Sequence, residues 1–128
     1  MRKVIIDGNS LTPERVAEVA LNRAPVEIAP EVHERLAAGR AYIGRLLAQH
    51  AVVYGITTGF GDLASVNISR KDRRLLQENL LKSHACGVGA PFPEDITRAM
   101  MLLRINSLVR GHSGISLAVL NQFVDLLN

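Results

Sequence analysis

Ile115-Ser116-Leu117-Ala118-Val119-Leu120-Asn121-Gln122-Phe123-Val124-Asp125-Leu126-Leu127 has apolar side chains at Leu117, Val119, Leu120, Phe123, Val124 and Leu127. Wound as a helix, it is apolar nearly all round. Such a helix is stable only where other elements cover it. The segment therefore predicts a buried helix in a mainly α core. The sequence ends at Asn128 with no capping glycine. Four shorter amphipathic helices are a thin cover, so the chain is expected to be one part of a larger fold.

Working back from that helix, Gly111-His112-Ser113-Gly114 is a break. Ile96, Met100, Leu103 and Ser107 recur at the spacing of a fourth helix, framed by Pro91 and Pro93 and running to Arg110. Leu76, Leu80 and His84 share one face of a third helix. It opens at Ser69-Arg70-Lys71-Asp72, a capping-box pattern with Asp in place of the usual Glu, and ends at Gly87 and Gly89. Pro30-Glu31 opens a second helix with the stripe Val32, Leu36, Ile43, Leu46 and Leu47, which Gly39 interrupts at modest cost. Thr12-Pro13-Glu14 opens the first helix, with Thr as N-cap, Pro at the first helical position and an acid in the first turn. Val16, Val19, Ala20 and Arg23 follow at helical spacing, and Pro25 ends it. Val4-Ile5-Ile6 is a β-prone run closed by the turn pair Asp7-Gly8, and the alternating Val26-Glu27-Ile28 is its candidate partner. The expected architecture is mainly α: about five helices and a short two-stranded ribbon.

Bulk properties narrow the function classes. Of 128 residues, 48% are hydrophobic and 21% charged, a globular balance rather than a disordered one. Aromatics are only 4% and Trp is absent, so the core must be aliphatic. The net charge of +3 is scattered. Its one dense run, Arg70-Lys71-Asp72-Arg73-Arg74, is the solvated start of a helix rather than a nucleic-acid patch, because no aromatics interleave it. The single cysteine, Cys86, excludes an internal disulfide. Residues 1–20 lack a signal-peptide apolar core, and no run approaches a membrane span, so the expected location is the cytoplasm.

Val52-Val53-Tyr54-Gly55-Ile56-Thr57-Thr58-Gly59-Phe60-Gly61 is the most distinctive segment. Its glycines exclude a stable helix, and it is expected to be a loop leaving a short buried strand. No Lys follows the glycines at 55, 59 and 61, which excludes a P-loop, and the spacing is not that of a dinucleotide loop. Tyr54 is a candidate acid or base. A free Tyr has a pKa near ~10, so a basic role requires nearby dipoles or cations. The glycines would admit close backbone approach to a ligand and movement of the loop as a lid.

In Ser83-His84-Ala85-Cys86-Gly87-Val88-Gly89, His84 and Cys86 are two apart on a helix and do not face each other, which argues against a thiol enzyme. A lone His late in a helix is ordinarily a cap or a packed residue. His33, His50, His84 and His112 are too widely spaced to suggest a metal site. Arg104-Ile105-Asn106-Ser107-Leu108 leads into the Gly111–Gly114 turn and reads first as a helix end.

Together, the segment Val53–Gly61, Leu76-Gln77-Glu78-Asn79-Leu80 with Ser83–Gly89, and Arg104–Leu108 with Gly111 and Ser113-Gly114 resemble the aromatic amino acid ammonia-lyase family. Their order matches, and Asp7-Gly8-Asn9-Ser10-Leu11-Thr12 fits as well. The resemblance covers essentially the whole chain, and the Tyr-Gly loop is its most specific part.

The resemblance implies the N-terminal subdomain of a homotetrameric helical enzyme that removes ammonia from a small-molecule amino acid. It implies Tyr54 as the base that takes the β-proton. It implies Ser83 and His84 as the pair around the substrate side chain, and Gly61 as a backbone contact near the substrate. The Ser-His pair is the pattern of the family's histidine lyases and of some tyrosine aminomutases. A tyrosine aminomutase or lyase, or a non-catalytic assembly fragment, is therefore the alternative. The family's electrophile is a methylidene-imidazolone formed from an Ala-Ser-Gly triplet. Here Ala64-Ser65 is followed by Val66, and Ser113-Gly114 is preceded by His112, so the triplet is absent. The expectation is that the chain stops before the electrophile segment and the helical C-terminal domain.

Overall fold

A computed structural model describes residues 2–69 and 71–128 of the chain. Its elements are β1 (Val4–Ile6), α1 (Pro13–Asn22), β2 (Val26–Ile28), α2 (Glu31–Ala48), α3 (Asp72–His84), α4 (Glu94–Leu108) and α5 (Leu117–Leu127), with a single 3₁₀ turn at Gly61–Leu63. The mainly α reading holds, and so does the ribbon. The chain divides into two compact units, Met1–Ile43 with Pro91–Asn128, and Gly44–Ala90.

In the first unit β1 and β2 pair in parallel, Val4 with Val26 and Ile6 with Ile28. Parallel neighbours need a crossover, and α1 supplies it. Val4 and Ile6 point into the core while Ile5 stays exposed, the alternation a half-covered strand requires. Thr12 caps α1, its hydroxyl accepting from the Arg15 N–H at 3.4 Å. The helix ends at Arg23, which takes a left-handed φ of 53°. Val19, Val26, Val32, Leu36, Leu102, Ile105, Val109, Leu120 and Leu127 form one aliphatic core with Val4 and Ile6.

Two arginines knit helix ends together. Arg98 on α4 donates to the Val19 and Leu127 carbonyls, at 3.0 and 2.6 Å, near the C-terminal ends of α1 and α5, where a cation suits the helix dipole. Arg35 on α2 donates to the carbonyls of Asp7 and Val109, at 2.9 and 3.2 Å. The Asn128 side chain closes the edge of β2, accepting from the Val26 N–H and donating to the Val26 carbonyl.

Several sequence expectations need correction. The face of α4 assigned from Ile96, Met100 and Leu103 is the outer one; these residues are about half exposed, and the buried face is Leu102, Ile105 and Val109. The helix is apolar on two sides, and periodicity alone does not say which side meets the core. Gly39 is more than an interruption in α2: a Cβ there would collide with the Gly111 carbonyl oxygen, and Gly111 itself has a φ of +81°. The glycine lets helix and turn touch. The capping pattern at Ser69 includes Arg70, which lies outside the described residues. Its other members depart from the usual box, because the Ser69 hydroxyl donates to the Asp72 carboxylate while the Ser69 carbonyl accepts from the N–H groups of Asp72 and Arg73.

Among the described residues no helix is long and apolar enough to cross a membrane. Ile96, Met100, Leu103, Val119 and Leu126 nevertheless leave much apolar surface open. Monomers seldom expose contiguous apolar patches above a few hundred Å². The isolated chain is expected to form dimers or larger assemblies by light scattering; a concentration-independent monomer would contradict this.

After β1, the Asp7 carboxylate accepts from the N–H groups of Asn9 and Ser10 at 2.7 and 2.8 Å. Those bonds, Ser10 foremost, hold its pKa below the usual carboxylate range. A lowered folded pKa gives stability that is present above the unfolded value and lost as pH falls through the folded one. Asp7→Asn keeps an acceptor but does not titrate. Its denaturant midpoint is expected to fall less steeply than that of the wild type below the carboxylate range. Parallel curves for the two proteins would refute the linkage.

Candidate active site

The second unit contains the Tyr54 loop and α3. The segment expected as a buried strand is not one: Val52 is 65% exposed, and residues 54–57 form a turn. Its order comes from two threonines buried to within 1%. The Thr57 hydroxyl donates to the Ala51 carbonyl at 2.7 Å and accepts from the Val53 N–H at 2.8 Å. The Thr58 hydroxyl accepts from the Gly55 N–H at 3.3 Å and donates to the Gly59 carbonyl at 3.0 Å. The backbone then pairs with the strand-like return at residues 66–68, through Ile68 N–H to Thr57 O and Gly59 N–H to Val66 O. A buried, fully used hydroxyl is a strong local constraint. These bonds brace a loop that its glycines alone would leave loose.

Tyr54 stands on this braced loop, 62% exposed, with its ring edge-on to Phe60 at a centroid distance of 5.9 Å. Such edge-to-face pairs are favoured by the ring quadrupoles. Tyr54 and Phe60 form one side of a cleft of about 650 Å³, whose other lining residues are Leu80, Leu81, His84 and Ala85 on and just after α3. Residues 80, 81, 84 and 85 recur at helical spacing and so share a face. The cleft is thus aromatic and aliphatic, with two polar groups, the Tyr54 hydroxyl and the His84 ring.

At the end of α3 three groups converge. Ser83 Oγ donates to the Leu80 carbonyl at 2.9 Å, His84 Nδ1 lies 2.9 Å from the same carbonyl, and Ser83 Oγ lies 2.9 Å from His84 Nδ1. The Cys86 thiol bonds the His84 carbonyl rather than its ring.

The structure therefore brings Tyr54 and His84 together. It sets Ser83 beside His84 without placing it in the cleft lining. Gly61 follows Phe60 with a φ of +57° and open space where a Cβ would stand, and is also outside the lining. Sequence reasoning missed Phe60, Leu81 and Ala85 as walls of the cleft. Leu81 and Ala85 recur with Leu80 and His84 at i, i+1, i+4 and i+5, whereas Phe60 carries no such pattern.

A second cleft of about 660 Å³ is lined by Leu47, Ala48, His50, Thr57, Asn67, Ile68, Ser69 and Arg73, and shares neither Tyr54 nor His84. Among the described residues no group of three or more His, Cys, Asp or Glu is placed to hold a metal ion.

Comparison with known proteins gives this arrangement a context. Curated relatives include histidine ammonia-lyases of Myxococcus xanthus, 48% identical over 98% of this chain, and of Caldanaerobacter subterraneus, 44% identical over all of it. The chain spans about a quarter of the length of each, 25%. Two solved structures superpose closely. The ergothionase of Treponema denticola has a TM-score of 0.93 at 33% identity, covering 99% of this chain and 26% of that one. The tyrosine aminomutase of Streptomyces globisporus has a TM-score of 0.92 at 35% identity, covering 99% and 24%. The sequence model described as "Aromatic amino acid lyase" matches residues 11–128, nearly the whole chain, so the chain belongs to the aromatic amino acid lyase family.

Proposed function

We propose that the chain is the N-terminal part of an ammonia-lyase that converts L-histidine to urocanate, with Tyr54 as base and His84 as the residue that recognises the imidazole. One observation carries this reading: Tyr54 and His84 line the same cleft, whose remaining walls suit a flat, largely apolar ring. The identity to histidine ammonia-lyases supports the choice of substrate. In the elimination a Cβ–H bond and the Cα–N bond break, a C=C bond forms, and ammonia leaves. Tyr54 takes the β-proton, while the apolar walls hold the ring. Ser83 and Gly61 belong to the same site, Ser83 beside His84 and Gly61 as a backbone contact.

The β-hydrogen is barely acidic and ammonia is a poor leaving group, so an electrophile is required. In the family that group is the methylidene-imidazolone, which withdraws electrons from the substrate. The residues present here do not fit its formation. Ser65 precedes Val66, whose N–H is bonded to the Leu63 carbonyl. Ser113-Gly114 follows His112, and a Cβ at Gly114 would meet the Ile43 side chain at 2.5 Å, which marks a packed turn.

The pure chain is accordingly expected to form no urocanate from histidine. Fused to the remaining three quarters of the Myxococcus xanthus relative, it is expected to yield an active enzyme, followed by ultraviolet absorbance. Urocanate formation by the chain alone, or its absence from a folded fusion, would overturn the assignment. A second reading, a tyrosine aminomutase, is supported by the likeness to the Streptomyces globisporus enzyme. It predicts a β-amino acid from tyrosine in the same assay.

A further inference from the structure

The three contacts at the end of α3 determine which nitrogen of His84 carries its hydrogen. A carbonyl oxygen only accepts. His84 Nδ1 lies 2.9 Å from the Leu80 carbonyl, so the hydrogen between them belongs to Nδ1; a bare nitrogen there would oppose two lone pairs. Ser83 Oγ donates to the same carbonyl and leaves its lone pairs to Nδ1, also 2.9 Å away. One assignment satisfies all three contacts. The hydroxyl donates to Leu80, and Nδ1–H is shared between the Leu80 carbonyl and the hydroxyl oxygen. A neutral imidazole has a single N–H, so Nε2 is left as an acceptor.

Resting on the lyase reading, we infer that Ser83 and the Leu80 carbonyl lock His84 in its Nδ1–H tautomer, so that Nε2 accepts a hydrogen bond from the bound side chain. The cleft then favours an amino acid whose ring donates N–H or O–H, imidazole or phenol, over one with a bare phenyl ring. Phe60, Leu80, Leu81 and Ala85 offer no competing side-chain acceptor. A phenyl ring offers Nε2 no hydrogen and forgoes that bond. Ser83 touches no substrate in this scheme. It is a positioning residue acting through His84, and the other tautomer would present a donor at Nε2 and leave the N–H or O–H of the bound ring without its acceptor.

Nitrogen-15 NMR of the histidine-labelled chain, above the imidazole titration range, reads the tautomer directly, with His84→Gln assigning the signal. The expected result is Nδ1–H for His84 in the wild type and in Ser83→Thr, and a shift toward the Nε2–H form in Ser83→Ala. In the fused enzyme, Ser83→Ala is expected to lower the ratio of kcat/KM for histidine over phenylalanine roughly three- to tenfold, the scale of one lost hydrogen bond. Ser83→Thr is expected to retain the ratio. Nε2–H in the wild type, or an Ala variant that moves neither tautomer nor ratio, would overturn the inference. A fused wild type that turns over neither amino acid fails the lyase reading alone, and the tautomer measurement then decides this inference by itself.

Discussion

Tyr54→Phe in the fused enzyme lowers kcat by about 10²–10⁴-fold and leaves substrate binding little changed, the range typical of a lost general base. The variant keeps the ring and its edge-on packing against Phe60, because only the hydroxyl is removed. The hydroxyl has no hydrogen-bond partner among the described residues, so its loss leaves no buried group unsatisfied. The loop is held by Thr57 and Thr58 rather than by Tyr54, so its shape survives the change. The measurement is kcat and KM for histidine beside the affinity of an unreactive histidine analogue. A folded variant with unchanged kcat would mean that Tyr54 only packs against Phe60.

His84→Leu has a different signature. It is expected to shift preference from histidine toward phenylalanine, lowering the ratio of their kcat/KM values by up to about 10⁴-fold. A site built to hydrogen-bond a polar ring discriminates on that scale. Leucine fills the same cleft wall with an apolar group of similar bulk, which favours a phenyl ring. His84 is exposed in this chain, so its replacement disturbs no core packing. The competing view is that His84 is only a helix cap, since its Nδ1 already serves the Leu80 carbonyl. That view predicts a small change in stability and none in selectivity. An unchanged ratio in a folded protein removes His84 from the substrate residues.

What the sequence made legible follows from the range of the forces involved. The Thr12 cap, the Asp7 turn and the pairing of Val4–Ile6 with Val26–Ile28 depend on neighbours or on short crossovers, and they were readable. The orientation of α4 was not, because Ile96, Met100 and Leu103 are as apolar as Leu102, Ile105 and Val109. Only tertiary packing chooses between the two faces. Gly39 was misread for the same reason: its meaning lies in Gly111, far along the chain. In the site, Tyr54 and His84 stood out through family resemblance. Phe60, Leu81 and Ala85 are ordinary apolar residues whose role appears only once the loop and α3 share a cleft. Nothing in the composition marks the threonines that brace the loop, since hydroxyl partners cannot be read from it.

The first unit is discontinuous in sequence, and this has a consequence for how it is made. Residues 1–43 leave the ribosome before residues 91–128, but side chains that bury Val19, Val26 and Val32 come from α4 and α5, after residue 91. At a synthesis rate of roughly 5–20 residues per second, β1, α1 and β2 wait for seconds before Leu102 and Ile105 exist. Meanwhile a β-prone run, Val4-Ile5-Ile6, is available to neighbouring nascent chains. Its guard during that interval is local: the parallel partner β2, and the charged Lys3 and Glu27 that bond across the pair at 2.7 Å. The Asn128 amide, which bonds the backbone of Val26 across a separation of 102 residues, can close the edge of β2 only after residue 128 has been added.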